Sequence, residues 1–170
     1  MNRIIPAGHP AYHSSTRPAA ASSDTVASPG SPFQSDAAVT AIGRGLCDCT
    51  LAKSEWTHAA HFAAALWVLA CRPDLDAARD MPGLIRAYNE ATGVANTDTS
   101  GYHETITQAS LRAARGFLPV PGKLFESCNA LLASPLGDKD WPLTYWSRDT
   151  LFSVAARRGW VAPDIRPLPF

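Results

Sequence analysis

The run Ser54-Glu55-Trp56-Thr57-His58-Ala59-Ala60-His61-Phe62-Ala63-Ala64-Ala65-Leu66-Trp67-Val68-Leu69-Ala70-Cys71 decides how this chain folds. Ser54 offers an N-cap, and Glu55 places a carboxylate in the first turn, where the helix dipole favours it. Pro73 bars the segment from continuing far beyond Cys71. Between these signals the residues are apolar nearly all round, which predicts a helix in the middle of its domain. The apolar part is about half the roughly 20 residues a membrane helix needs, so a core helix is expected and no membrane partner. His58 and His61 interrupt it. At a spacing of three they share one helix face, and their ring nitrogens need partners once buried.

Working outward, a first helix is expected from Ser35 or Asp36 to about Cys49, capped by Asp36, with Val39, Ile42 and Leu46 in its apolar stripe and Gly43 and Gly45 weakening it. A third should span Leu75 to Thr92, interrupted at Met81-Pro82-Gly83 and stopped by Gly93. A fourth opens at Thr99 or Ser100 and runs to about Phe117, with Ser100 as its cap. It would put His103 in the first turn and align His103, Thr107 and Ser110 as a polar stripe. Lys123 to Ala133 forms a fifth. Ser147 to Arg158 forms a sixth, ahead of an apolar-aromatic ending from Trp160 to Phe170 that should lie across the bundle. No segment has strand alternation and no repeat is present. The expected fold is all-α, a single-domain bundle of five to six helices over residues 35–170. Residues 1–34, rich in Ala, Ser and Pro, bury too little to order themselves and are expected to be a disordered tail holding His9 and His13 as solvated side chains.

The 170 residues suit one domain with a real core, since hydrophobic residues make up 46% and charged ones 18%. Fifteen basic residues balance fifteen acidic ones, with no basic stripe, which argues against nucleic acid as a partner. The N-terminus has no apolar signal-peptide core. Cys47 and Cys49 form C-x-C, while Cys71 and Cys128 sit in apolar helical surroundings. Free thiols in the cytoplasm are expected, with burial rather than soft-metal ligation at Cys47 and Cys49.

Three of the five histidines, His58, His61 and His103, fall in the openings of the second and fourth helices. Two imidazoles from one helix and one from its neighbour is how metal sites in bundle cores are built, and three ligands leave a position for water or substrate. These residues are expected to hold a divalent transition metal, Fe, Zn or Cu, with the spacing unable to choose among them. Glu104, Tyr102 and Thr107 are the candidate catalytic groups: Glu104 as acid–base or orienting carboxylate, Tyr102 and Thr107 as hydrogen-bonding groups beside it. His103-Glu104-Thr105-Ile106-Thr107 lacks the second histidine of H-E-x-x-H, so no metalloprotease is inferred. The expected activity is that of a small metal-dependent enzyme acting on a small-molecule substrate by oxidation, hydrolysis or elimination. The alternative is a non-catalytic protein that binds a metal or small ligand. Asn96 and Asp98 read as turn residues and Asp149 as a first-turn carboxylate, with Arg148 a lesser candidate. Trp56, Trp67 and Trp141 read as core.

Trp56-Thr57-His58-x-x-His61, Ile85-Arg86-x-Tyr88-Asn89, Asn96-Thr97-x-Thr99-x-x-Tyr102-His103-Glu104-Thr105-x-Thr107 and the stretch from Tyr145-Trp146-Ser147 to Pro163-Asp164 resemble segments of a group of small uncharacterised bacterial helical proteins. The resemblance covers about residues 40–170. It implies a bacterial, single-domain, soluble protein and carries no activity with it.

Overall fold

The computed structural model describes Met1 and residues 30–118 and 123–170. The expected tail therefore falls, for residues 2–29, outside the described residues. Among the described residues there are seven α-helices and no strands: α1 (Asp36–Cys47), α2 (His58–Cys71), α3 (Ala77–Ala91), α4 (Glu104–Arg115), α5 (Leu124–Ala133), α6 (Arg148–Leu151) and α7 (Val154–Arg158). Short 3-10 turns lie at Lys53–Glu55, Pro135–Gly137 and Trp141–Thr144.

The apolar helix is central, as its composition requires. Helix α2 buries every residue from Phe62 to Val68 and packs against α1, α3, α4 and α5. It starts later than expected. Ser54 and Glu55 are spent on the 3-10 turn, where the Glu55 carboxylate accepts from the Ala52 N–H, and Thr57 becomes the α2 N-cap by accepting from the Ala60 N–H. Gly43 is where α1 meets α2. A Cβ there would overlap the Trp67 ring, so the glycine is what lets the indole lie on the α1 backbone.

Capping in this bundle is partly exchanged between helices. Ser35 caps α1, while Asp36 sends its Oδ1 across to accept from the Phe125 N–H at 2.9 Å. Helix α5 has no side-chain cap of its own, and Asp36 supplies an acceptor for one of its orphan donors. Packing onto the core begins at Phe33, inside the stretch expected to be tail. Its N–H donates to Asn129 Oδ1 (3.1 Å) and its carbonyl accepts from Asn129 Nδ2 (2.7 Å).

Helix α3 and the expected sixth helix also depart from expectation. Pro82 does not interrupt α3, which runs through it. The ring removes the donor that would serve the Ala78 carbonyl four residues back. Gln108 Nε2, reaching over from α4, donates to that carbonyl at 2.8 Å and makes the loss good. The expected sixth helix is two, because Ser153 leaves helical geometry (φ −65°, ψ 155°) and caps α7 by accepting from the Ala156 N–H.

The C-terminal segment lies across the bundle as expected. Trp146 Nε1 donates to the Val161 carbonyl, Ile165 N–H to the Tyr145 carbonyl, and Phe170 stacks edgewise on Trp141 and Tyr145. Asp164 accepts from the Ser147 N–H and from the Ser147 and Thr150 hydroxyls. Those hydroxyl and backbone bonds hold its carboxyl down at about 2. Thr105, fully buried in α4, accepts from Val161 N–H and donates to the Gly159 carbonyl, fixing the same segment from beneath.

The Gln108–Ala78 contact has a measurable consequence. Gln108→Ala should lower unfolding stability by about 1 kcal/mol, and the loss should shrink in a Pro82→Ala background, where the helix regains its own donor. A double-mutant cycle by urea denaturation reads the coupling.

Candidate functional site

Between α2, α3 and α4 lies a cavity of about 250 Å³. Phe62 and Ala65 of α2, Met81 and Ile85 of α3, and Ile106 and Leu111 of α4 line it, together with Trp56, Trp141 and Pro142. Its polar edge is short: His58 and His61 from α2, Thr107 and Ser110 from α4, and Lys139 from the loop after α5.

The imidazole tautomers follow from what each ring touches. His61 Nδ1 lies 2.6 Å from the Thr57 carbonyl, which can only accept, so Nδ1 carries the proton and the neutral ring keeps its lone pair on Nε2. The ring leans on Trp56 with centroids 4.1 Å apart. Its surface is accessible, yet protein crowds it on the remaining sides, as befits a residue at the wall of a concave pocket. Burial lowers its pKa to about 4; the bond to Thr57 opposes the shift and His58 adds to it. His58 is the reverse tautomer. Its Nε2 donates to the Leu136 carbonyl at 2.8 Å, leaving the lone pair on Nδ1, and the ring meets Phe62 edgewise.

His103 is placed differently. It is the α4 N-cap in place of Ser100: Nδ1 accepts from the Ile106 N–H (3.3 Å) and Nε2 donates to the Leu151 carbonyl (2.9 Å). Both nitrogens are thus committed to backbone, the residue is 8% exposed, and it does not line the cavity. Burial lowers its pKa and Arg157 adds to this, with backbone bonding opposing. Ser100 loses the capping role because the chain turns at Gly101, whose φ of +73° and close approach to the Ala95 carbonyl exclude a side chain. Asn96 organises that turn by accepting from the Tyr102 N–H and from Asn89 Nδ2.

Glu104 and Tyr102 are engaged with each other. Tyr102 Oη donates to Glu104 Oε2 (2.7 Å), Glu104 Oε1 accepts from Gln108 Nε2 (2.9 Å), and the same Gln108 nitrogen serves Ala78. Burial, reinforced by the Glu104 carboxylate, raises the Tyr102 pKa well above the ordinary phenol value. Of the six residues proposed from sequence, His58, His61 and Thr107 therefore meet at one cavity. His103, Tyr102 and Glu104 belong to the bonding that builds the start of α4. Among the described residues, no group of three or more His, Cys, Asp or Glu side chains is arranged to hold a metal ion.

Ser110 reaches the cavity by the helical spacing that links it to Thr107. Lys139, Met81, Ile85 and Pro142 also line the cavity and carried no signal as site residues in the sequence. Asp98 pairs with Arg158 at 2.7 Å, Arg148 lies over the Phe152 ring, and Trp67 and Trp141 are buried core. The cysteines are free thiols, with Cys47 Sγ facing Arg72.

Fold and pocket together define a small all-helical protein with an interhelical cavity, apolar in its walls and edged by imidazole and hydroxyl groups. No family model, curated protein or solved structure matches the chain.

The low His61 pKa fixes the sign of an acid effect. The folded ring binds its proton less readily than the unfolded one, whose reference value is 6.5. The unfolded state therefore holds more protons between about pH 6.5 and 4, and stability falls as pH drops through that window. Denaturation midpoints at pH 7, 5.5 and 4.5 should decline, and His61→Phe should flatten part of the decline. Nitrogen-detected NMR at pH 7 should find the proton on Nδ1 of His61 and on Nε2 of His58 and His103.

Proposed function

We propose that the protein binds a small, largely apolar molecule in the cavity between α2, α3 and α4, held by a hydrogen bond from the ligand to Nε2 of His61. The observation that carries this reading is the Nδ1–H bond to the Thr57 carbonyl, which aligns a lone pair at the edge of an otherwise apolar pocket. Ligand sites of this kind combine apolar walls with a few convergent polar groups. Thr107 and Ser110 add hydroxyls that either donate or accept.

The depressed basicity of His61 favours recognition over proton abstraction. A general base works best with a pKa near the operating pH, and an imidazole near 4 gives little driving force for taking a proton at pH 7. It remains a good hydrogen-bond acceptor. The four free thiols suit a reducing compartment, the cytoplasm.

A metal reading is favoured by a second observation. His58 and His61 both line the cavity, and each neutral ring keeps one nitrogen with its lone pair free of the backbone. Low proton affinity at His61 would reduce competition for a divalent transition metal, Fe, Zn or Cu. In this reading His58 and His61 are the protein ligands, and His103 serves the fold.

Indole and 1-methylindole test the first reading, since they differ by one N–H donor. Indole should bind about five- to tenfold more tightly, the worth of one hydrogen bond, and His61→Phe should abolish that difference. Equal affinities, or no binding of either, would overturn it. For the metal, Zn²⁺ titration should give one site lost in both His58→Ala and His61→Ala; a site that survives either change refutes the assignment.

A further inference from the structure

On the far side of the 95–102 turn lies a second cavity, of about 260 Å³, whose charged lining is three arginines against a single aspartate. Arg158 and Asp98 cancel each other through a two-pronged bond, Nε to Oδ1 and Nη2 to Oδ2. Arg86 and Arg157 are not cancelled. Among the described residues neither has a carboxylate partner. Glu90 and Glu104 keep their charge, but their hydrogen bonds are with neutral groups and neither is in contact with these guanidiniums: Glu90 Oε1 accepts from Asn96 Nδ2, and the Glu104 oxygens accept from Tyr102 and Gln108.

The two guanidiniums are also held in place. Arg86 lies over the Tyr102 ring at 4.2 Å from its centroid. Arg157 donates through Nη1 to the carbonyls of Gly101 (3.2 Å) and Tyr102 (3.0 Å), and its Nε is buried with no partner. A fixed cation with an unpaired buried donor is costly unless something offsets it. Only Arg157 carries such a donor; Arg86 is exposed, and the two like charges lining one cavity repel each other. This differs from a pair of loose surface arginines, because stacking and carbonyl bonds have already fixed both heads before any ligand arrives.

We propose that this second cavity, bordered by Arg86 and Arg157, is a binding site for the phosphate group of a small molecule. Two fixed guanidiniums with no carboxylate in contact present several N–H donors to one space, and a phosphate monoester offers three acceptor oxygens and about −1.5 to −2 of charge at neutral pH. A carboxylate brings a single charge. Arg157 donates to the ligand through Nη2, which the Gly101 and Tyr102 carbonyls leave unused, and Arg86 donates through its guanidinium N–H groups. Arg158 stays with Asp98 and sets the rim.

Inorganic phosphate is the probe, titrated by calorimetry at fixed ionic strength and pH 7.5, with acetate as the single-charge control. Wild-type protein should bind one phosphate saturably and acetate at least tenfold more weakly. Arg86→Gln should weaken phosphate about tenfold or more, the worth of one charge-assisted contact, and Arg86→Lys should fall between. Arg79→Gln, which removes a charge paired with Asp80 outside the cavity, should change nothing. Circular dichroism melts of the Arg86 variants check that the fold is kept; Arg86 is exposed, and its side chain meets the core only by stacking on Tyr102. Absence of saturable phosphate binding in the wild type, unchanged affinity in Arg86→Gln, an equal loss in Arg79→Gln, or equal affinity for acetate would each overturn the proposal.

Discussion

A helix buried along most of its length has to find partners for the polar groups it carries inward, and that constraint shapes this protein. Helix α2 is enclosed by α1, α3, α4 and α5, so its interior holds only apolar side chains. Its two histidines sit at the N-terminal end, where backbone carbonyls outside the helix are within reach. His61 turns back on the Thr57 carbonyl of its own cap, and His58 reaches the Leu136 carbonyl in the turn after α5. Each bond satisfies one nitrogen and, by fixing the proton there, determines what the other nitrogen can do.

The same accounting separates His103 from the other two. A residue before α4 had to accept from the first-turn donors, and the Gly101 turn took Ser100 away from that position. His103 filled it with Nδ1 and spent Nε2 on Leu151. An imidazole with both nitrogens on backbone has nothing to offer a ligand. Glu104 follows the same logic, since its two oxygens take Tyr102 and Gln108, and Gln108 in turn repairs the carbonyl that Pro82 leaves orphaned in α3.

How much was legible in the sequence follows from the range of each interaction. Apolar periodicity is local, so the all-α fold and the central position of α2 could be read directly. Caps that act within one turn were legible to within a turn: Ser35 stands one residue from Asp36, and Thr57 three from Ser54. What escaped was every device that works across elements. Asp36 serving α5, Gln108 serving α3 and Asn129 clamping Phe33 join residues that are 89, 30 and 96 positions apart. Gly43 looked like a weak point in α1 and is instead the contact that admits Trp67. The histidine cluster was legible as residue types in helix openings. Which ring nitrogens stay free was not, because that depends on carbonyls supplied by Leu136 and Leu151.

Once the backbone has claimed its share, the remaining lone pairs are what can act on a ligand. They fall to His58 and His61, on one face of one helix, opposite the hydroxyls of Thr107 and Ser110 on another. Burial makes His61 a poor base, and this narrows its use. A ring that stays neutral well below pH 7 keeps its acceptor through the physiological range without competition from a proton. In the binding role proposed above, it would select a ligand by the presence of one donor, at a site whose walls reward apolar surface and penalise any polar group that arrives without a partner. Selectivity of that kind needs only that the backbone fix the tautomer, and the Thr57 carbonyl does so from within the same helix turn.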